Sequence, residues 1–140
     1  MLAWARTIDH ILLLRIMLFL LLDLSSKLAT MQVHRGIIQS HVNVHAARGL
    51  WIPLNILIIV SIVITLVVAR FVSAKHIVWW SGVFILAGSL GNLYDRILYH
   101  GVRDWISIGA FPVFNIADIL ITLGALLFLY EQSKQTWKTS

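Results

Sequence analysis

Residues 50–69 read LWIPLNILIIVSIVITLVVA, a run from Leu50 to Ala69 without a charged side chain. Helices of about 20 residues cross a hydrocarbon core, so this stretch predicts a membrane span. Working outward, Ile77–Tyr94 is also uncharged, and Val113–Tyr130 holds a single charge, Asp118. Ile11–Ala29 is the odd one, since it includes the charged residues Arg15, Asp23 and Lys27. Arg15 can snorkel towards one interface, while the other two lie near the opposite end. These spans predict an all-α membrane protein, a four-transmembrane-helix bundle occupying residues 1–140 as one domain.

Composition points the same way. Hydrophobic residues make up 59% of the 140 residues and charged residues 12%, against about 25% charged in ordinary globular domains. A soluble core of this size cannot hide that much apolar surface. The formal charge of +5 suits anionic lipid headgroups. Basic residues are scattered between apolar runs and form no stripe, which argues against nucleic acid. With no cysteine, disulfides and thiolate nucleophiles are excluded. Arg6 before the run from Ile11 imitates a signal peptide, but no A-x-A-like site follows, so the run reads as a retained span. Trp4, Trp51, Trp79, Trp80 and Trp137 fall near the ends of apolar runs, as aromatic belts do.

The connection 30–49 is polar and alternates in places (His41-Val42-Asn43-Val44-His45), predicting short strands at the membrane surface. Asp95–Pro112 contains Gly101, Gly109 and Pro112, which favour turns and irregular backbone. Four spans put both termini on one side. Lys and Arg divide five against five between the two faces, so the positive-inside rule does not choose that side. Discounting Lys27, Arg96 and Arg103 as members of a site leaves the termini cytoplasmic.

Ionisable groups converge on one end of the predicted bundle. Asp23 and Lys27 close the first span, Asp95 and Arg96 the third, Asp104 follows in the loop, and Asp118 opens the fourth. Intramembrane charge is expensive and marks functional candidates. Asp23 and Lys27 are spaced as a helical ion pair. Asn92, Asp95 and Arg96 are predicted to share one helical face, as are Asn115 and Asp118. Two carboxylates brought together share a proton and support acid–base chemistry on a water. The structural alternative is a buried acid paired with Arg96 or Arg103, and spacing alone does not select Asp104 over Asp95. A zinc peptidase is disfavoured by the lack of H-E-x-x-H. Ala87-Gly88-Ser89-Leu90-Gly91 comes near a G-x-S-x-G elbow but reads better as close helix packing.

Four ordered motifs go further. Asp23-Leu24-Ser25-Ser26-Lys27, Gly91-Asn92-Leu93-Tyr94-Asp95-Arg96, Gly101-Val102-Arg103-Asp104-Trp105-Ile106 and Phe114-Asn115-Ile116-Ala117-Asp118 together resemble the bacterial lipoprotein signal peptidases, or signal peptidase II. The resemblance implies an aspartic endopeptidase with Asp104 and Asp118 as catalytic pair. Asn92, Arg96 and Asn115 would position substrate, with Asp23, Lys27 and Asp95 in support. It further implies a small β-rich extracytoplasmic cradle between the first two helices, with Asn43 in it. The implied substrate is a diacylglyceryl-modified prolipoprotein, cleaved before the lipidated cysteine at the outer face of the bacterial cytoplasmic membrane. No metal or cofactor is implied, and a monomer is expected. In the cradle segment Asn43–Gly49, His45 and Arg48 stand where the family carries glycine and an aromatic residue, which unsettles substrate preference. The competing readings are non-catalytic: a lipoprotein-binding homologue, or a four-span protein with Asp118 in a proton or ion pathway.

Overall fold

The computed structural model describes residues 10–31, 33–35, 37–44, 52–73 and 79–138. The chain runs α1 (His10–Ala29), β1 (His34–Arg35), β2 (Ile38–Asn43), α2 (Leu54–Ser73), α3 (Trp79–Tyr99), β3 (Val102–Ile106) and α4 (Ile116–Lys138). Trp4, Trp51, His45, Arg48 and the Trp137 side chain lie outside the described residues.

The helices match the predicted apolar runs, with shifted ends. Pro53 has no N–H to give a preceding turn, and its carbonyl accepts the first helical bonds of α2 from Ile56 and Leu57. The second helix therefore starts at Leu54 rather than Leu50. The third extends past Tyr94 to Tyr99, carrying Asp95 and Arg96 in its last turns. α2 and the Ile116–Lys134 part of α4 are long and apolar enough to cross a membrane. α1 and α3 are of similar length but turn polar at one end, through Asp23 and Lys27 in one and Asn92, Asp95 and Arg96 in the other.

α3 packs against each of the other three helices. It can do so because its inner face is made of small residues. Gly88 sits where a Cβ would collide with the Ala117 carbonyl of α4, and at Gly91 a Cβ would collide with the Asp23 carboxylate of α1. The apolar core draws Ile16, Val72, Val83, Leu86, Ala87 and Leu120 from all four helices. Outside it, α2 exposes Ile59, Val63 and Leu66, and α4 exposes Leu123, Leu126 and Leu129. Apolar faces of that extent are interaction surfaces, and a lipid bilayer suits helices of this composition. Arg15 lies over the rings of Trp80 and Trp79, at 4.7 and 5.6 Å, so its charge is held at the α3 N-terminus by cation–π contact.

The strands form one antiparallel sheet in the order β1-β2-β3. The first two arise where alternation predicts them. The third is a correction: Val102–Ile106 lies in the segment read as irregular, so the sheet is not confined to the α1–α2 connection. Only five residues long, β3 gains its order from pairing with β2, with Asn43 opposite Val102 and His41 opposite Asp104.

Candidate active site

β3 and α4 present the two candidate carboxylates. Beyond β3 the chain turns back, and the Trp105 and Ile106 N–H groups both donate to the Phe114 carbonyl, at 3.0 and 2.8 Å. Phe114 N–H returns a bond to Ile106 at 3.1 Å. This closure sets Asn115 beside Asp104.

Asn115 is also the N-cap of α4. Its Oδ1 accepts from the Asp118 N–H at 2.9 Å, while Asp118 Oδ2 accepts from the Asn115 N–H at 3.2 Å. That is a reciprocal capping box with Asp at the third helical position. The Asn115 amide donates to Asp104 Oδ1 at 2.6 Å. One buried asparagine therefore hydrogen-bonds both aspartates. Asn43 from β2 donates to Asp104 Oδ2 at 3.0 Å, and Asn92 from α3 donates to Asp118 Oδ1 at 2.8 Å. Asn92 Oδ1 in turn accepts from Lys27 at 3.1 Å and from Asn115 at 3.2 Å.

A second cluster lies alongside. Lys27 pairs with Asp23 at 2.7 Å and with Asp95 at 3.2 Å. Arg103 grips Asp95 with its guanidinium at 2.7 Å and with its backbone N–H at 3.0 Å, and lies over the Tyr99 ring. Asp23 Oδ1 takes the Ala117 N–H at 2.9 Å, one of the unpaired donors of the α4 N-terminus. Two acids and two bases thus balance in a buried quartet spanning α1, α3 and β3.

The predicted residues come together, but Asp95 and Arg96, predicted to share a helical face, part company. Asp95 pairs with Lys27 and Arg103, not with Arg96, whose Nη1 instead donates to Ser61 of α2 at 3.2 Å. Arg96 therefore leaves the face shared by Asn92 and Asp95. Among the described residues, no Lys or Arg nitrogen lies within 4.0 Å of the Asp104 or Asp118 carboxylate. The structural alternative, an acid paired with Arg103 or Arg96, does not hold for Asp104. Burial pushes the Asp104 carboxyl up to about 6, and the nearby Asp118 charge works in the same direction, against the Asn43 and Asn115 hydrogen bonds and the Lys27 charge. Ser61 is the site contact that sequence reasoning missed, because a serine inside the most apolar span belongs to no motif.

The family model for Signal peptidase (SPase) II matches residues 15–134. The chain belongs to the signal peptidase II family. Lipoprotein signal peptidases of Yersinia pseudotuberculosis and Yersinia pestis are 34% identical over 85 residues, which is 58% of this chain and 50% of theirs. The chain spans about half the length of these curated relatives. Two solved bacterial membrane enzymes share the fold. One superposes with a TM-score of 0.85 at 24% identity over 95% of this chain and 93% of its own. The other has a TM-score of 0.78 at 24% identity, over 89% of this chain and 94% of its own. In signal peptidase II terms, the four motifs that carry the resemblance meet at one end of the helix bundle.

Proposed function

We propose that this protein is an intramembrane aspartic endopeptidase that removes the signal peptide from diacylglyceryl-modified prolipoproteins. The observation that carries the reading is the pair Asp104 and Asp118, both hydrogen-bonded to Asn115 and neither neutralised by a cation among the described residues. Every other buried carboxylate at this end is matched to Lys27 or Arg103. An unmatched pair is what acid–base catalysis on a water requires.

In the reaction, one carboxylate of the pair is ionised and takes a proton from a water. The water oxygen attacks the scissile carbonyl carbon, and the other carboxyl gives its proton to the carbonyl oxygen. The resulting gem-diol collapses as one carboxyl group gives its proton to the leaving amine and the other carboxylate takes a proton from a gem-diol hydroxyl. The C–N bond breaks and the product acid forms. Acid and base are roles of the couple rather than of either residue alone. Asn115, Asn92 and Asn43 hold the oxygens in place, which lowers the reorganisation needed at the transition state.

All four helices cross the bacterial cytoplasmic membrane in this reading, with termini cytoplasmic and the site near the extracytoplasmic face. The substrate's signal helix and acyl chains then remain in lipid while the scissile bond reaches the pair. Cleavage of a purified lipid-modified prolipoprotein tests it. Wild-type protein should release the signal peptide, and Asp104→Asn and Asp118→Asn should each abolish release. An inactive wild type, or full activity in either variant, would falsify the assignment.

A further inference from the structure

Arg96 leaves the last turn of α3 and is met by a residue of α2, the helix whose sequence carries no motif. Side chains on a helix lean towards its N-terminus, which draws the Arg96 guanidinium down into the bundle. Ser61 lies about 10 Å along α2 from Leu54 at the helical rise. A charge brought to that depth needs a polar partner. Ser61 supplies it in a defined sense. Its hydroxyl donates to the Leu57 carbonyl at 2.7 Å, so the oxygen is left as an acceptor for Arg96 Nη1.

A guanidinium has five N–H donors, and among the described residues Arg96 uses only this one in a hydrogen bond. Asp118 on α4, Asp104 on β3 and Asp95 on α3 all act on Arg96 electrostatically. None of the three closes to a salt bridge with it. The guanidinium is thus hydrogen-bonded to a hydroxyl on α2 while the acidic pair on α4 and β3 attracts it without contact.

We propose that Ser61 is a positioning residue that holds the Arg96 guanidinium off the aspartate pair and keeps its remaining donors free for peptide carbonyl oxygens of the substrate. This rests on the peptidase reading above. Without the Ser61 hydroxyl, the guanidinium relaxes towards Asp118 and Asp104, spends its donors there and favours the ionised pair.

The test compares wild type, Ser61→Ala, Ser61→Thr and Thr65→Ala on a diacylglyceryl-modified prolipoprotein. Alanine is a better helix former than serine, so Ser61→Ala keeps α2. Thr65 back-bonds to the Ser61 carbonyl one turn further along, at 2.7 Å, and serves as a control hydroxyl. In Ser61→Ala, KM should rise about tenfold, the size of a lost hydrogen bond to a charged group, with kcat changed less. The acid limb of kcat/KM should move to lower pH. Ser61→Thr should restore both, and Thr65→Ala should match wild type. A Ser61→Ala enzyme with wild-type KM and pH profile overturns the proposal, as does a Thr65→Ala enzyme with the same defect. Guanidinium nitrogen resonances of detergent-solubilised protein, assigned with Arg96→Lys, give a readout independent of turnover. The Arg96 signal should shift in Ser61→Ala and stay put in Thr65→Ala, and an unmoved signal in Ser61→Ala refutes the role. Should wild type cleave nothing, the peptidase reading fails, and the resonance alone decides whether Ser61 positions Arg96.

Discussion

The Asn115 side-chain amide donates to Asp104 Oδ1 at 2.6 Å, joining the α4 N-cap to strand β3. The same residue is bonded to Asp118 through its backbone N–H and its Oδ1. The helix cap and the scaffold of the proposed catalytic pair are therefore one residue, and their contributions can be separated by substitution.

Serine caps helices about as well as asparagine but is too short to bridge to Asp104. Asn115→Ser should keep thermal stability close to wild type while lowering kcat about 100-fold, the scale of losing one preorganised donor. Asn115→Ala should lose activity similarly and about 1 kcal/mol of stability in addition. Cleavage assays beside melting curves in detergent check both. Equal stability of the two variants would contradict the cap.

Asp104 should titrate near 6 in the native protein. Its ordinary value is 3.8, and the native value lies above it. The contribution of Asp104 to stability is therefore fully present below 3.8 and is lost as pH rises through about 6. Asn43→Ala removes a hydrogen bond that favours the ionised form and should move the titration upwards. Asp118→Asn removes a neighbouring negative charge and should move it downwards. Carboxyl carbon resonances followed against pH report both directions, and a wild-type midpoint near 4 would contradict the burial argument.

The quartet of Asp23, Lys27, Asp95 and Arg103 should show strong coupling. Lys27→Met leaves Asp23 without its cation and Asp95 with Arg103 alone, at a cost of about 3–5 kcal/mol. Adding Asp23→Asn removes the stranded charge and should recover part of that loss. A thermal-unfolding double-mutant cycle measures the recovery, and simple additivity would mean the pair is not coupled.

Substitution of two glycines should cost stability for different reasons. Gly88→Ala drives a methyl into the Ala117 carbonyl, a backbone atom that cannot swing aside, and should cost about 1–3 kcal/mol. Gly109→Ala meets nothing within 4 Å, yet its φ of +55° makes alanine strained by about 1 kcal/mol. Melting temperatures of the two variants should rank in that order, with activity retained in Gly109→Ala.

Much of the candidate site was legible in the sequence. The apolar runs predict the four helices because run length and charge exclusion are local properties of a chain. The ordered motifs pick out Asp23, Lys27, Asn92, Asp95, Asp104, Asn115 and Asp118, and these residues do converge. Strand β3 was not legible, since five residues between Gly101 and Ser107 take their order from a partner, not from their own pattern.

Pairing was the other gap. Asp95 and Arg96 are adjacent in sequence and look like partners, but neighbours on a helix diverge by about 100°. Asp95 faces Lys27 and Arg103, and Arg96 faces Ser61. Which way each residue faces depends on how α3 is rotated between α1, α2 and α4. That rotation is set by close contacts at Gly88 and Gly91. By itself the sequence determined an apolar helical bundle, its charged end and the family to which its motifs belong. Only the tertiary structure decided which carboxylates are neutralised and which are left as a pair, because those assignments turn on contacts of a few ångströms between residues far apart in the chain.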